Sequence, residues 1–276
     1  ISALLGGAVL WGLFWWPLKQ LHAAGIHGSF VQAVAYGLPA LVLLPWALRT
    51  PARRDQSGLL VLIMLLGGWA NASFAGSLTY GSVVRVLLLF YLAPVWTILA
   101  ARLFLAEPIT RLRLLALGLA LAGLALTLGG PALFDSPLSA IDLLALSSGL
   151  AFALNNVAIR AAQDLPDAAR AVAVFGGCAL FSLAFMGWNE QPMPVLESTH
   201  LLALATLALA WVLPGTLATF YGVARLDAGK AAILLLAELV VGVVSAVLVG
   251  GEALSVREAA GGAFILTAAV IEARSE

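Results

Sequence analysis

The sequence predicts an all-α integral membrane protein in which ten transmembrane helices form two inverted five-helix repeats. Three observations carry that prediction. Of 276 residues, 62% are hydrophobic and only 10% charged. The mean hydropathy is +1.04, far above that of an ordinary soluble domain. The apolar residues fall into stretches of about 20, the length needed to cross a hydrocarbon core of about 30 Å.

The spans are expected near 3-22, 29-48, 58-80, 83-105, 111-129, 139-161, 168-188, 200-222, 229-250 and 257-273. The first has neither a basic region before it nor a cleavage site, and reads as a retained span rather than a signal peptide. Clusters of Gly, Pro and charge separate the spans, among them TPARRDQSG, AEPITR, GGPALFDSP, QDLPDAAR and RLDAGK, as expected of loops. Residues 1-130 form the first repeat, 131-138 a linker and 139-276 the second repeat. With the N-terminus inside, all basic residues except Lys19, Arg85 and Arg257 fall on the cytoplasmic side, which orients both termini inward. Prolines 17, 39, 94 and 214 lie inside predicted spans, where each removes one backbone hydrogen bond and permits bending. Three of the four are in the first repeat, so helices 1 and 4 are the expected moving parts.

Other classes are disfavoured by composition. With 14 Lys+Arg against 14 Asp+Glu, no basic field exists to attract nucleic acid. The lone Cys178 and three histidines leave no disulfide framework and little material for a metal site. There is no G-x-S-x-G, H-E-x-x-H or C-x-x-C, and the Gly222 to Lys230 stretch has the wrong spacing for a phosphate loop, so neither enzyme chemistry nor a cofactor is expected.

The repeat emerges on comparing the chain with itself. WGLFWWPLK (11 to 19) aligns with FALNNVAIR (152 to 160), matching Lys19 with Arg160. LLLFYLAPVWTILAARLFLAEPIT (87 to 110) aligns with AILLLAELVVGVVSAVLVGGEALS (232 to 255), matching Arg85 with Lys230, Ala93 with Glu238, Pro94 with Leu239 and Glu107 with Glu252. Because five is odd, the second copy enters the membrane from the opposite side. That arrangement belongs to alternating-access carriers with a midplane site.

The W-G-x6-K opening, Y-L-A-P-V (91 to 95) with F-L-A-E-P-I-T (104 to 110), and L-A-E-L-V (236 to 240) with G-G-E-A-L-S (250 to 255) together resemble the EamA repeats of the drug/metabolite transporter superfamily. Within it, the Y-x-x-P segment and the Trp-rich first helix look most like the YddG-type exporters of aromatic amino acids. The resemblance implies a multi-pass carrier of the bacterial inner membrane. Where relatives commonly place a proline after the second-repeat glutamate, this chain has Leu239, which argues against a kink in helix 9.

Trp11, Trp15 and Lys19 recur at i, i+4, i+8 on one face of helix 1. Two indoles and an ammonium there suit an aromatic ring and a carboxylate; equally, they suit packing, with Lys19 snorkelling to the surface. Asn71 in helix 3, and the adjacent Asn155 and Asn156 in helix 6, must find partner helices or a polar cavity, since an amide in hydrocarbon must be hydrogen-bonded. The YddG-type resemblance assigns Asn71, Phe74 and Tyr91 to the substrate path. Glu238 is the one acid deep inside a span, and is by default a functional residue, as a coupling group or as a structural carboxylate. Lys19, Arg85 and Lys230 are candidate electrostatic gates, and Pro94 a candidate hinge. The small-residue face Gly242, Ala246, Gly250 suits close packing within a monomer.

The expected function is export of a small amphipathic solute, an aromatic or neutral amino acid, across a lipid bilayer by facilitative alternating access. A proton-coupled exporter of cationic drugs, relying on Glu238, is the alternative. A non-transporting receptor or an intramembrane enzyme is disfavoured by the repeat and by the missing catalytic sets.

Overall fold

A computed structural model describes residues 1–49, 56–104, 110–127, 138–161, 165–223 and 228–274. The described residues are helical with no strand: α1 (Ser2–Gly12), α2 (Trp15–Ala23), α3 (Gly28–Arg49), α4 (Ser57–Tyr80), α5 (Val83–Phe90), α6 (Ala93–Phe104), α7 (Arg111–Thr127), α8 (Ala140–Ala161), α9 (Asp167–Trp188), α10 (Ser198–Thr206), a π-helical segment (Leu207–Val212), α11 (Leu213–Val223), α12 (Ala228–Leu248) and α13 (Val256–Arg274). In lipid only internally bonded helices or closed barrels can span, and this chain takes the helical solution. Among the described residues, five helical segments are long and apolar enough to cross a membrane: Gly28–Arg49, Ser57–Tyr80, Ala140–Ile159, Asp167–Trp188 and Ser198–Thr219. Leu114–Thr127 and Ala237–Leu248 are shorter apolar stretches. The expected linker lies almost wholly outside the described residues, as does Glu107.

Two of the expected spans are interrupted, and proline accounts for both. Pro17 has no N–H to offer the Leu13 carbonyl one turn earlier, and the chain tightens there: Phe14 N–H donates to Trp11 O at 3.1 Å and Trp16 N–H to Leu13 O at 3.1 Å. The helix therefore divides into α1 and α2 around Leu13 and Phe14. Pro94 deprives the Phe90 carbonyl in the same way, and α5 ends at Phe90 with Tyr91 as its C-cap. Pro214 follows the π-helical segment, an irregularity of the kind that lets a helix absorb a missing donor. Pro39 and Pro45 lie within α3 without dividing it. In the second half, α8 and α12 run unbroken.

The elements pack in a definite pattern. α3 lies along α9 and α7 along α13; α1 contacts α11 and α12, while α8 contacts α4, α5 and α6. Glycines allow the tightest crossings. A Cβ on Gly12 would lie 2.7 Å from the Glu238 carbonyl of α12, and one on Gly149 would lie 2.8 Å from the Phe90 carbonyl at the end of α5. The main apolar core contains Phe14, Tyr36, Phe175 and Leu239, whereas Leu41, Trp46, Leu103 and Leu202 are exposed, as expected of faces that meet lipid.

Candidate functional site

The interruptions in α1/α2 and α5/α6, the π segment and Glu238 all fall near the middle of their spans. The break after Gly12 leaves the Leu10 carbonyl without its usual helical donor, because Phe14 N–H has turned to Trp11. Trp211, in the π segment, donates its indole N–H to that carbonyl at 2.7 Å. A carbonyl left open in an apolar interior costs about 1 to 3 kcal/mol, so the two irregular segments support each other. Trp11 is half-buried, lies against Gly215 of α11 and meets Phe14 edge-on at 5.2 Å. A run of edge-on contacts continues from Phe14 to Tyr36 (6.3 Å) and from Tyr36 to Phe175 (6.0 Å).

Across from this run, Tyr91 sits at the α5/α6 break. Its hydroxyl donates to the Leu235 carbonyl of α12 at 3.4 Å and faces the Glu238 carboxylate. Glu238 is partly buried and its own carbonyl abuts Gly12. Trp11, Tyr91 and Glu238 thus belong to the crossing of α1, α5 and α12.

The remaining residues expected at the site are distributed as follows. Trp15 is 4% exposed and donates its indole N–H to Ser245 Oγ at 2.9 Å, which ties it to α12 as a packing residue. Asn71 donates to the Gly67 carbonyl of its own helix at 2.8 Å. Asn155 packs against the same Gly67, its Oδ1 buried with no partner among the described residues; Asn156 is half-buried. Phe74 stacks on Phe90 at 4.4 Å, and Phe90 in turn meets Tyr91 and Phe152. The Phe74–Phe90 pair therefore borders Tyr91 from the α4–α8 side, while Asn71 and Asn155 both lie at Gly67 of α4. Lys230 lies in the first turn of α12 and Pro94 opens α6.

Lys19 and Arg85 stand at one end of the bundle, each in an ion pair between the first and second halves of the chain. Lys19 Nζ lies 3.1 Å from Glu252 Oε1. That carboxylate also accepts from the N–H groups of Val83 and Val84 and from Ser82 Oγ at 2.8 to 3.1 Å. Glu252 therefore adds to the N-cap residue of α5, Ser82, a carboxylate supplied from elsewhere in the chain, where the helix N-terminus favours negative charge. Gly251, with φ +67, turns the chain after α12 so that Glu252 can reach back. Burial raises the Glu252 carboxyl, but the hydrogen bonds from Val83, Ser82, Val84 and Lys19 outweigh it and hold the group below the ordinary glutamate range. Beside it, Arg85 clasps Asp142 of α8 with two hydrogen bonds, 2.6 and 2.9 Å, and Ser139 completes the carboxylate's shell. A cleft of about 340 Å³ lined by Ser82, Arg85, Ser139 and Asp142 opens here.

Sequence reasoning singled out Lys19 and Arg85 but not their partners, and it missed Tyr36, Trp211's bond to α1 and the capping role of Glu252. Tyr36 had one signal available, a phenol in the middle of an apolar span. Among the described residues, no cluster of His, Cys, Asp and Glu is arranged to hold a metal.

Comparison with known proteins adds three findings. The family model described as EamA-like transporter family matches residues 1–129 and again 139–272. No curated protein sequence matches significantly. A protein solved by crystallography is similar in fold, with a TM-score of 0.64 at 19% identity over 98% of this chain and 96% of that one.

Proposed function

The chain belongs to the EamA-like transporter family, and from that premise we propose that it carries an aromatic or neutral amino acid across a bacterial inner membrane by facilitative alternating access. The observation that carries this reading is the convergence of two proline-broken helices and the π segment on Trp11, Tyr91 and Glu238 at mid-span. Discontinuous helices at the membrane midplane are where carriers place substrate. The aromatic rings of Trp11, Phe74 and Tyr91 offer a face for the solute's ring, and Asn71, Asn155 and Asn156 offer amides to its polar end.

The architecture behind the reading is ten spans in two inverted repeats, with both termini cytoplasmic, working as a monomer. Its support is the exchange of packing partners: α1 meets α11 and α12 as its sequence counterpart α8 meets α4, α5 and α6. The two repeats of the family model fall on the same halves. The Lys19–Glu252 and Arg85–Asp142 pairs then act as an outer gate, closed in this conformation. Lys230, matched in sequence to Arg85, serves the inner side. Helices 1 and 4, jointed at their prolines, are the moving parts. The Trp-rich first helix and Y-x-x-P favour the YddG-type branch.

The test is counterflow in proteoliposomes preloaded with unlabelled phenylalanine. Uptake of labelled phenylalanine, inhibited by tryptophan and independent of a proton gradient, is expected; its absence from folded protein refutes the reading. Tyr91→Ala is expected to lower transport while expression is kept. A second reading, proton-coupled export of a cationic drug, is favoured by the placement of Glu238 against Tyr91. Glu238→Gln separates the two: the coupled exporter loses all dependence on an imposed pH gradient, whereas a facilitative carrier had none.

A further inference from the structure

Residues 189 to 197 join two of the helical segments long and apolar enough to cross a membrane, Asp167–Trp188 and Ser198–Thr219, so both ends of this connection lie at a membrane surface. It contains neither helix nor strand. Val195 (92% exposed) and Trp188 (87%) are nevertheless the two most exposed large apolar side chains among the described residues, and Met193 (71%) stands between them in sequence. Burial alternates along the connection: Pro194 and Leu196 are partly buried, Leu196 against the main core, while Met193, Val195 and Glu197 are exposed. That two-residue period is the one an extended chain gives, and it turns Met193 and Val195 outward together. Trp188 prolongs the exposed stripe of Leu180, Leu183 and Ala184 at helical spacing on α9, a face that meets lipid.

The segment suits the boundary between headgroups and hydrocarbon. Non-helical backbone does not enter hydrocarbon with unbonded N–H groups, and Pro192 and Pro194 remove such a group on either side of Met193. At the end of α9, Asn189 Nδ2 donates to the Phe185 carbonyl at 2.8 Å and Gln191 N–H to that of Met186 at 3.0 Å, so these carbonyls are already met. Between Trp188 and Ser198 there are two carboxylates, Glu190 and Glu197, and no Lys or Arg. Attraction to anionic headgroups is therefore missing, and apolar side chains must supply the affinity. We infer that Trp188, Met193 and Val195 form a bilayer anchor, the connection lying on the membrane with these three side chains in the interfacial layer of phospholipid and its backbone at headgroup depth. Tryptophan suits that layer, with an apolar ring and one N–H for a headgroup oxygen. The anchor sets the depth of α9, which packs along α3 and α4, and is independent of the solute carried.

The test is the fluorescence of single labelled positions in the full chain, reconstituted in phosphatidylcholine vesicles. Cys178 is the chain's one cysteine and is 0% exposed, so a cysteine introduced at Met193, Val195 or Glu190 takes an NBD label, with the unsubstituted chain as blank. All three replaced side chains are exposed, and a size-exclusion profile matching the unsubstituted chain qualifies each sample. Labels on Met193→Cys and Val195→Cys are expected to emit to the blue of that on Glu190→Cys. They should be quenched by phospholipid bearing a nitroxide near the top of its acyl chain, and be severalfold less sensitive to aqueous iodide. Added salt or anionic lipid should leave these differences in place. Iodide quenching at 193 and 195 equal to that at 190 overturns the anchor. Shielding from both iodide and nitroxide lipid also overturns it, because protein, such as a second copy of the chain, then covers the face. A difference that arises only with anionic lipid overturns its apolar basis.

Discussion

The segments 87 to 103 and 232 to 248 align in sequence, yet the first is cut at Tyr91 and Leu92 while the second runs through as part of α12. One aligned pair explains the difference: Pro94 has no N–H to continue the helix, whereas Leu239 has one. The same contrast separates α1 and α2, divided ahead of Pro17, from the continuous α8. The first half therefore contributes two proline-jointed helices, and α8 and α12 of the second supply unbroken ones against which they pack. The straight partner also carries the acidic side chain: Glu238 stands on α12, where its aligned position on the jointed side is Ala93. The carboxylate is thus held by an unbroken helix, while Tyr91 beside it sits at a break.

The severest way to break this arrangement is to push a jointed helix off its straight partner. Gly12→Leu places a branched side chain where a single Cβ would already be 2.7 Å from the Glu238 carbonyl and 2.9 Å from Val241. Backbone cannot yield as a side chain tip can, so the expected cost is about 3 kcal/mol or more, read as loss of monodisperse protein on size exclusion. Gly6→Ala, where nothing lies within 4 Å, should leave the profile unchanged.

Leu239→Pro makes the second half resemble the first. An interior proline costs about 3 kcal/mol, but the carbonyl it orphans is that of Leu235, which already accepts from Tyr91. Membrane helices tolerate proline when a neighbour meets the freed group. The expected loss is thus smaller than that figure, and it should grow when Tyr91→Phe is combined with it, a coupling that a double-mutant cycle in thermal unfolding measures.

Glu252→Ala removes a capping carboxylate worth about 1 kcal/mol together with the Lys19 pair, and should lower the melting temperature correspondingly. Lys19→Ala, which touches a part-exposed pair, should do much less. The pH dependence follows from the depressed folded-state value of Glu252. Its contribution is fully present above the unfolded glutamate value of about 4.3 and is lost as pH falls through the lower folded value. The Glu252-dependent part of the melting temperature should accordingly stay flat through neutral and mildly acidic pH.

An effect of the same order as that of Glu252→Ala is expected of Trp211→Phe, which leaves the Leu10 carbonyl at the α1 break without its donor. About 1 kcal/mol should be lost, seen as a modest fall in melting temperature and absent in Trp16→Phe, whose indole is exposed.

Much of this was legible before folding. Hydropathy located the helical segments, the prolines anticipated unequal bending, and Leu239 argued against a kink in helix 9, where α12 is continuous. Lys19 and Arg85 were singled out because charge is scarce in such a chain. Their partners were not, because Glu252 and Asp142 are distant in sequence and lie at a loop and a helix start where acids are unremarkable. Trp15 shows the limit of a periodic stripe: spacing put it on the face of Trp11, but only packing seated it on Ser245.

What the sequence determined by itself is local: which stretches are apolar enough to be helices, and where a missing N–H must interrupt them, since both depend on residues within one turn or one span. What tertiary structure decided is which helices cross, and hence which polar groups meet. The capping of α5 by Glu252, the bond from Trp211 to Leu10 and the clasp of Arg85 on Asp142 are products of distant chain segments brought into contact. Buried polar groups must be matched in three dimensions, and no spacing along the chain encodes that match.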